Sequence, residues 1–357
     1  MKRAVVIGGA GFVGRRMVEL LAGPPLHPEW PSFDEVHVLD VAELRPLERP
    51  RARVTSERGD VRSQADLERA LAGAHTVFHA ASIVDVDLRP SPAIDAVNVA
   101  GTRNVVEVAA RLGVPVLVYT SSEDVVLSEA PARGADETLP YPRRPMHAYV
   151  RTKIEGERIA LATDDARGMR TASMRPVHVY GPGDPHAIVA TLRAFASGSV
   201  PFLLGDGSAR FDIVYVDNVV HAHLLAAARL AAPADAARVA GRAYFVNEGN
   251  APNYFEFIRP YATAKGVRMP KLRLGRRRTH ALAAAMAWAS ALTGARVPFH
   301  PFHAQILCED FFFSGERARR ELGYSPLVSP GEGQARTLEW LRSVPLDGPL
   351  TPGGGAR

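Results

Sequence analysis

The sequence predicts a doubly wound α/β fold: a parallel sheet with helices on both faces, continued by a smaller, mixed α/β substrate-binding region at the C-terminal side. Three observations predict it. Short apolar, β-branched runs alternate with helix-periodic segments through the first half of the chain. A glycine-rich turn separates the first run from the first helix. Beyond about Arg175 the alternation gives way to shorter elements punctuated by Pro176, Pro182, Pro185 and Pro201.

Ala4 to Ile7 is wholly apolar, as a strand covered on both faces must be, and a helical pattern through Val18, Leu20 and Leu21 follows the glycines. A loop holding Pro24, Pro25, Pro28 and Pro31 leads to a second strand, Val36 to Leu39, which ends at Asp40. Next come a strand at Arg53 to Ser56, a helix at Gln64 to Leu71, a strand at Thr76 to Phe78, a helix at Ala93 to Leu112 and a buried strand at Val114 to Tyr119. In the second half, Val219 to Leu230 and Leu282 to Leu292 read as helices and Ile213 to Val216 as a short strand. Tyr244 to Asn247 reads as one more strand of the main sheet. Residues 1–175 are therefore expected to bind a nucleotide, 176–350 to form most of a substrate region interleaved with that unit, and 351–357 to be a flexible tail.

Composition excludes several classes. With 46% hydrophobic and 23% charged residues among 357, the composition is that of an ordinary globular chain and excludes disorder as its general state. One cysteine, Cys308, rules out an internal disulfide and a cysteine-based zinc site, and no His, Asp or Glu spacing suits a metal. Met1-Lys2-Arg3 runs straight into the first strand without a leader pattern, so a cytoplasmic protein is expected. The net charge of +5 is spread among 38 acidic residues, which argues against nucleic acid. The exception is Arg273, Arg276, Arg277 and Arg278, which precede an uncharged stretch from Thr279 to Ala295. That stretch is shorter than a usual membrane span; it either lies on a membrane surface or packs within the smaller region.

Gly8, Gly11 and Gly14 lie between the first strand and the first helix, where a turn needs positive φ and the backbone must approach a pyrophosphate. Asp40 ends the second strand 26 residues after Gly14, placed to accept hydrogen bonds from a ribose; its charge favours NAD over NADP. Asp60 either reaches the adenine amino group or caps the next helix. Tyr149 and Lys153 stand four residues apart, on one face of a helix. An ammonium and a positive nicotinamide ring would stabilise a phenolate, the form that takes up a proton. Thr120, Ser121 and Ser122 follow the buried strand at the carboxyl edge of the sheet, where such folds bind ligands.

With these residues in this order, the chain resembles the extended short-chain dehydrogenase/reductase family, of Rossmann fold, over nearly its whole length. The resemblance rests on Gly8 to Gly14, Asp60, Ala80-Ala81, Asn98 with Gly101-Thr102, Thr120-Ser121-Ser122, Tyr149 with Lys153, Arg175-Pro176 and Tyr180 to Gly183. It implies Tyr149 as general base, Lys153 as ribose ligand and tuner of Tyr149, and Ser122, with Ser121 its neighbour, as the group orienting the reacting oxygen. The expected cofactor contacts are Gly8, Gly11, Phe12, Val13, Gly14, Asp40, Asp60, Val61, Ala80, Ala81, Asn98, Thr120, Tyr149, Lys153, Pro176 and Val179. Substrate contacts are expected at Ser121, Ser122, Glu123, Tyr149 and His178.

Within that family the chain is most similar to the 3β-hydroxysteroid dehydrogenase and sterol-4-carboxylate 3-dehydrogenase branch, through Tyr119 to Ser122, Asp136 to Tyr141, Gly205 to Gly207, Tyr215 to His223, Gly241 to Asn247 and Leu322 to Leu327. The resemblance implies NAD-dependent oxidation of the 3β-hydroxyl of a steroid- or sterol-like molecule, with decarboxylation if the substrate is a 4-carboxysterol. The alternatives are a reductase of long-chain 2-alkyl-3-keto acids, a nucleotide-sugar epimerase or dehydratase, and a dinucleotide sensor without turnover. A homodimer and a peripheral membrane contact are compatible with the reading. Sugar-nucleotide relatives carry an arginine directly before the position of Asp212, where this chain has Phe211; Arg210, one residue off, faces the other side of a strand. Glu123 and Asp124 read either as an acidic pair for elimination or as solvated or capping carboxylates, His147 as a proton relay or a rim residue, and His178, His221 and His223 as rim residues.

Overall fold

A computed structural model describes residues 1–346 apart from 129, 166–167, 185–186 and 298. Pro185, the end of the 176–350 region and the expected tail 351–357 lie outside the described residues.

The strands are β1 (Arg3–Ile7), β2 (Glu35–Asp40), β3 (Arg53–Arg58), β4 (Thr76–His79), β5 (Val116–Thr120), β6 (Ala132–Ala135), β7 (Arg170–Pro176), β8 (His178–Tyr180), β9 (Ile213–Tyr215), β10 (Arg242–Val246) and β11 (Phe311–Phe313). Seven of them form one sheet in the order β10-β7-β5-β4-β1-β2-β3, and every neighbouring pair is parallel. This is the doubly wound Rossmann arrangement the sequence predicts. Its order reverses between β1 and β4, where open α/β sheets bind ligands. The last strand, β10, joins the edge beside β7 as expected, so the second half of the chain completes the first half's sheet.

The helices are α1 (Phe12–Ala22), α2 (Gln64–Leu71), α3 (Thr102–Arg111), α4 (Ala148–Ala162), α5 (Ile188–Ala196), α6 (Val216–Ala231), α7 (Pro233–Val239), α8 (Tyr254–Ala264), α9 (Arg276–Thr293), α10 (Pro301–Cys308), α11 (Glu316–Leu322) and α12 (Pro330–Arg342). Period-two alternation along each strand divides the core between the two faces. Val5, Ile7, Leu39 and Val77 pack with α2 and α3 residues such as Leu67 and Val105. Ala4, Val6, Val38 and Phe78 pack on the other face with Met17, Val18 and the α6 side chains.

Several boundaries differ from expectation. The strand expected from Val114 begins after Pro115, which has no N–H for the ladder. The helix expected over Ala93 to Leu112 is broken by a wide π-type turn, Ala96–Gly101, before α3. The uncharged helix starts earlier, taking Arg276, Arg277 and Arg278 into its first turn, and ends at Gly294, which adopts the left-handed conformation.

Candidate active site

The turn after β1 is shaped by what glycine lacks. A Cβ on Gly14 would stand 2.0 Å from the Gly8 carbonyl oxygen, and one on Gly8, at φ +85°, would stand 2.6 Å from the Ala81 nitrogen. The chain therefore passes β4's end, Ala80-Ala81, at backbone contact. Gly11 caps α1 without any side-chain hydrogen bond, and the first turn holds no acidic residue, so its N–H groups remain available to an anion. Asp40 lies beneath: its Oδ2 accepts from the Ala10 N–H at 2.9 Å and its Oδ1 from the Ala42 N–H at 2.9 Å. These features fit a dinucleotide, whose pyrophosphate the open turn would hold and whose ribose Asp40 would meet.

The other expected cofactor residues surround this turn. Phe12 and Val13 are half-buried in the first turn of α1, Val61 is buried against Gly101, Pro176 ends β7 and Val179 lies in β8. Asp60 does not cap α2, a task that falls to Ser63. Its carboxylate pairs with Arg62 at 2.6 Å, which holds it below the ordinary range. Asn98 is fully engaged, bonding both the Ile83 N–H (2.7 Å) and carbonyl (2.9 Å) and donating to Thr152 Oγ1 at 3.0 Å. It clamps the strand-end loop after β4 to α4.

Helix α4 presents Tyr149 and Lys153 on its buried face, one turn apart. It sits so close on β5 that a Cβ on Gly156 would be 2.4 Å from the Tyr119 hydroxyl. Beyond β5, Ser121 hydrogen-bonds the Met174 carbonyl through its N–H at 2.7 Å, while its hydroxyl is buried without a partner. Ser122 starts a 3-10 turn, Glu123–Val126: its Oγ accepts from the Asp124 N–H at 3.2 Å and donates to Glu123 Oε2 at 3.2 Å. Of the two serines it is Ser122 whose hydroxyl lowers Tyr149.

Two electrostatic expectations are corrected. The hydrogen bond of Lys153 goes to backbone and not to Tyr149: its Nζ donates to the Thr120 carbonyl at 2.5 Å and lies 4.5 Å over the Tyr119 ring. Burial pushes Tyr149 well above its ordinary value, and Asp124, Tyr119 and Glu123 push it further, against the pull of the Ser122 hydrogen bond. Burial also pushes Lys153 down to about 7. The free chain thus keeps both groups closer to neutrality, and a positive charge brought beside Tyr149 is what would lower it. Second, Glu123 and Asp124 are not solvated. Glu123 is buried and raised well above the carboxylate range by burial and by Asp124; Asp124 is half-buried, and burial pushes it up to about 7.

Three of the four histidines expected at the rim, His147, His221 and His223, are buried. His147 is a buried cap of α4, its Nδ1 accepting from the Val150 N–H at 3.5 Å. His221 accepts from Trp30 Nε1 at 2.8 Å, and His223 spans the Val219 carbonyl and Thr120 Oγ1 at 2.8 and 2.9 Å. His178 is half-buried, its ring 5.0 Å from Phe211 and 6.2 Å from Tyr254. Phe211 is buried whereas Arg210 is exposed and stacks on Phe312 at 4.4 Å, so the aromatic and not the cation faces inward, as the strand register predicts. Sequence reasoning missed Glu157, which lies one turn beyond Lys153 and is buried with Arg175, and it missed His300, Phe302 and His303, whose His-x-x-His spacing on α10 was its only signal. Among the described residues no group of His, Cys, Asp and Glu could hold a metal.

A dinucleotide cradle with a serine, tyrosine and lysine at the carboxyl edge of β5 defines an oxidoreductase acting on CH–OH groups. Residues 5–276 match the model of the 3-beta hydroxysteroid dehydrogenase/isomerase family, and the chain belongs to that family. It is 34% identical over 350 residues to a 3-beta-hydroxysteroid dehydrogenase of Mycolicibacterium neoaurum, covering 96% of this chain and 92% of the relative. It is 32% identical to the decarboxylating sterol-4-alpha-carboxylate 3-dehydrogenase of Saccharomyces cerevisiae, covering 94% and 97%. Among solved structures, the UDP-glucose 4-epimerase of Thermus thermophilus in complex with NAD superposes with a TM-score of 0.68 at 27% identity, covering 95% of this chain and 99% of that one. The cofactor class is thus a nicotinamide dinucleotide.

Proposed function

We propose that this chain uses NAD to oxidise the 3β-hydroxyl of a steroid- or sterol-like hydrophobic molecule to the ketone. The observation that carries the substrate class is Phe211, buried against His178 with Tyr254 beside it, at the position where a sugar nucleotide's diphosphate would require a cation. The preference for NAD rests on Asp40, whose carboxylate beneath the turn would repel a 2'-phosphate.

NAD, when bound, supplies the hydride acceptor. Ser122 holds the reacting oxygen, and Tyr149 takes the hydroxyl proton once a positive charge lies beside it. Lys153 stays anchored to the Thr120 carbonyl, within reach of a ribose. Where the substrate carries a carboxylate on the adjacent carbon, oxidation yields a β-keto acid. Its bond to the carboxyl carbon breaks, carbon dioxide leaves, and the electron pair passes into an enolate that Ser122 and Tyr149 hold until the adjacent carbon is protonated.

A panel of 3β-hydroxysteroids, 4-carboxysterols, long-chain 3-hydroxy acids and UDP-sugars, followed by NADH absorbance, tests the reading. Turnover of the first two groups is expected; turnover of UDP-sugars alone contradicts it.

Access to such substrates is served by α9. Leu282, Trp288 and Leu292 are 39%, 70% and 67% exposed on this helix, next to exposed Arg277 and Arg278. We propose that this face rests on an anionic lipid surface. No helix among the described residues is long and apolar enough to cross a membrane. Vesicles containing anionic lipid should sediment the chain, and Trp288→Glu with Leu292→Glu should release it; equal sedimentation of both contradicts the contact.

A further inference from the structure

Glu123 and Asp124 stand directly behind the serine that holds the reacting oxygen, and hydrogen bonds tie the three together. Ser122 Oγ accepts the Asp124 N–H at 3.2 Å and lies 3.2 Å from Glu123 Oε2, in a turn where the side chains of Ser122 and Glu123 are both buried. An ionised Glu123 can only accept in this contact, so Ser122 would have to donate to it. A serine hydroxyl has one proton. Spent on Glu123, that proton leaves Ser122 nothing to donate to the oxygen of a substrate.

A neutral Glu123 reverses the count. Its own O–H then donates to Ser122 Oγ, the Asp124 N–H fills the second lone pair, and the Ser122 proton is free to point out of the turn. The reacting oxygen needs that proton, because negative charge gathers on it as its own proton leaves toward Tyr149. The surroundings favour the neutral acid. Burial raises Glu123 well above the carboxylate range, and the charges that add to it are acids, Asp124 in its own turn and Asp212 just before β9. Asp124, pushed up to about 7 by burial, also faces Ser122, and Asp212 accepts the Phe313 N–H at 2.7 Å. From α4 come Tyr149, whose phenolate would add negative charge, and Lys153, which is held on the Thr120 carbonyl and bears on Glu157 and Asp124.

We propose that Glu123 is a positioning residue for the oxidation: as a neutral acid it donates to Ser122 Oγ and so turns the Ser122 proton toward the reacting oxygen. The inference rests on the dehydrogenase reading and deepens it. Glu123 neither touches the substrate nor gives up its proton during turnover; it sets which way one hydroxyl points. When Glu123 ionises, the Ser122 proton is drawn back into the turn and the reacting oxygen loses a donor.

Two substitutions separate this role from packing. Glu123→Met removes the donor and keeps the bulk, whereas Glu123→Gln puts in an amide that can donate at every pH. With a 3β-hydroxysteroid and NAD, Glu123→Met should lower kcat about tenfold, the worth of one hydrogen bond, and Glu123→Gln should restore most of it. In a Ser122→Ala background Glu123→Met should cost nothing further, because the serine through which it acts is gone. The ratio of kcat/KM for Glu123→Gln to that of the intact chain should rise with pH, since Glu123 ionises in the intact chain alone; titration of Lys153 cancels from this ratio. Infrared spectra of the chain without substrate should show a protonated carboxyl group at neutral pH that Glu123→Gln lacks. A flat ratio, no such band, Glu123→Gln no better than Glu123→Met, or an undiminished loss in the Ser122→Ala background each overturns the role of Glu123 alone. Failure of the intact chain to oxidise any 3β-hydroxysteroid overturns the dehydrogenase reading and, whatever the infrared band shows, this role with it.

Discussion

Glu157 Oε1 and Arg175 Nη2 meet at 2.6 Å in an ion pair almost wholly withdrawn from solvent, their side chains 0% and 5% exposed. Tyr141 and Ser173 each donate to the same carboxylate at 2.7 Å. Burial works to raise Glu157, but Arg175 and these hydroxyls outweigh it and hold the carboxyl below its ordinary value. The pair fixes α4, and with it Lys153 one turn earlier, against β7. Replacing Glu157 by Gln leaves a buried guanidinium uncompensated, which should cost about 3–5 kcal/mol in denaturant unfolding. A loss under about 1 kcal/mol would show that the pair does not hold the helix.

Gly14→Ala puts a methyl against the Gly8 carbonyl, 2.0 Å away, where only backbone can yield. Forcing that turn open should cost about 1–3 kcal/mol, and NADH affinity, read by fluorescence, should fall by about tenfold to a hundredfold. Unchanged affinity would place the pyrophosphate elsewhere.

Asp40→Ala removes the carboxylate beneath the turn and should narrow the preference for NAD over NADP, measured as the ratio of kcat/KM values. Equal use of both cofactors by the intact chain contradicts the role given to Asp40.

Asp124→Asn bears on pH. The Asp124 charge is the largest electrostatic influence raising Tyr149 after burial itself, so its removal lowers Tyr149. A base that acts as phenolate then becomes available at lower pH, and the rising limb of kcat/KM should move toward acid. A shift toward alkali, or none, would mean that this limb does not report Tyr149.

Much of this was legible in the sequence where the signals are local. The apolar run of β1, its glycines and the Asp40 strand end lie within 40 residues, and their geometry is imposed by short-range sterics. Tyr149 and Lys153, a spacing common by chance, stand out once the glycine turn, Asp40 and the serines occur with them in this order. Glu157 did not, because Lys153 and Glu157 at i and i+4 read as an ordinary exposed pair until Arg175 on β7 takes up the carboxylate. Nor did His300 and His303, which the fold carries to Tyr149 from about 150 residues away on a short helix whose imidazoles have no local reason to be buried. That the sequence leaves Glu123 and Asp124 open between an acidic pair and solvated or capping carboxylates has the same origin: burial of acids is decided by what packs over them, not by their neighbours in sequence.

Tyr149→Phe tests the central claim most directly, since it removes one oxygen and leaves the packing of α4 in place. With a 3β-hydroxysterol and NAD, turnover should fall by about 10²–10⁴-fold, the worth of a positioned general base, while NADH binding stays measurable. Turnover within a few-fold of the intact chain would show that the proton leaves by another group.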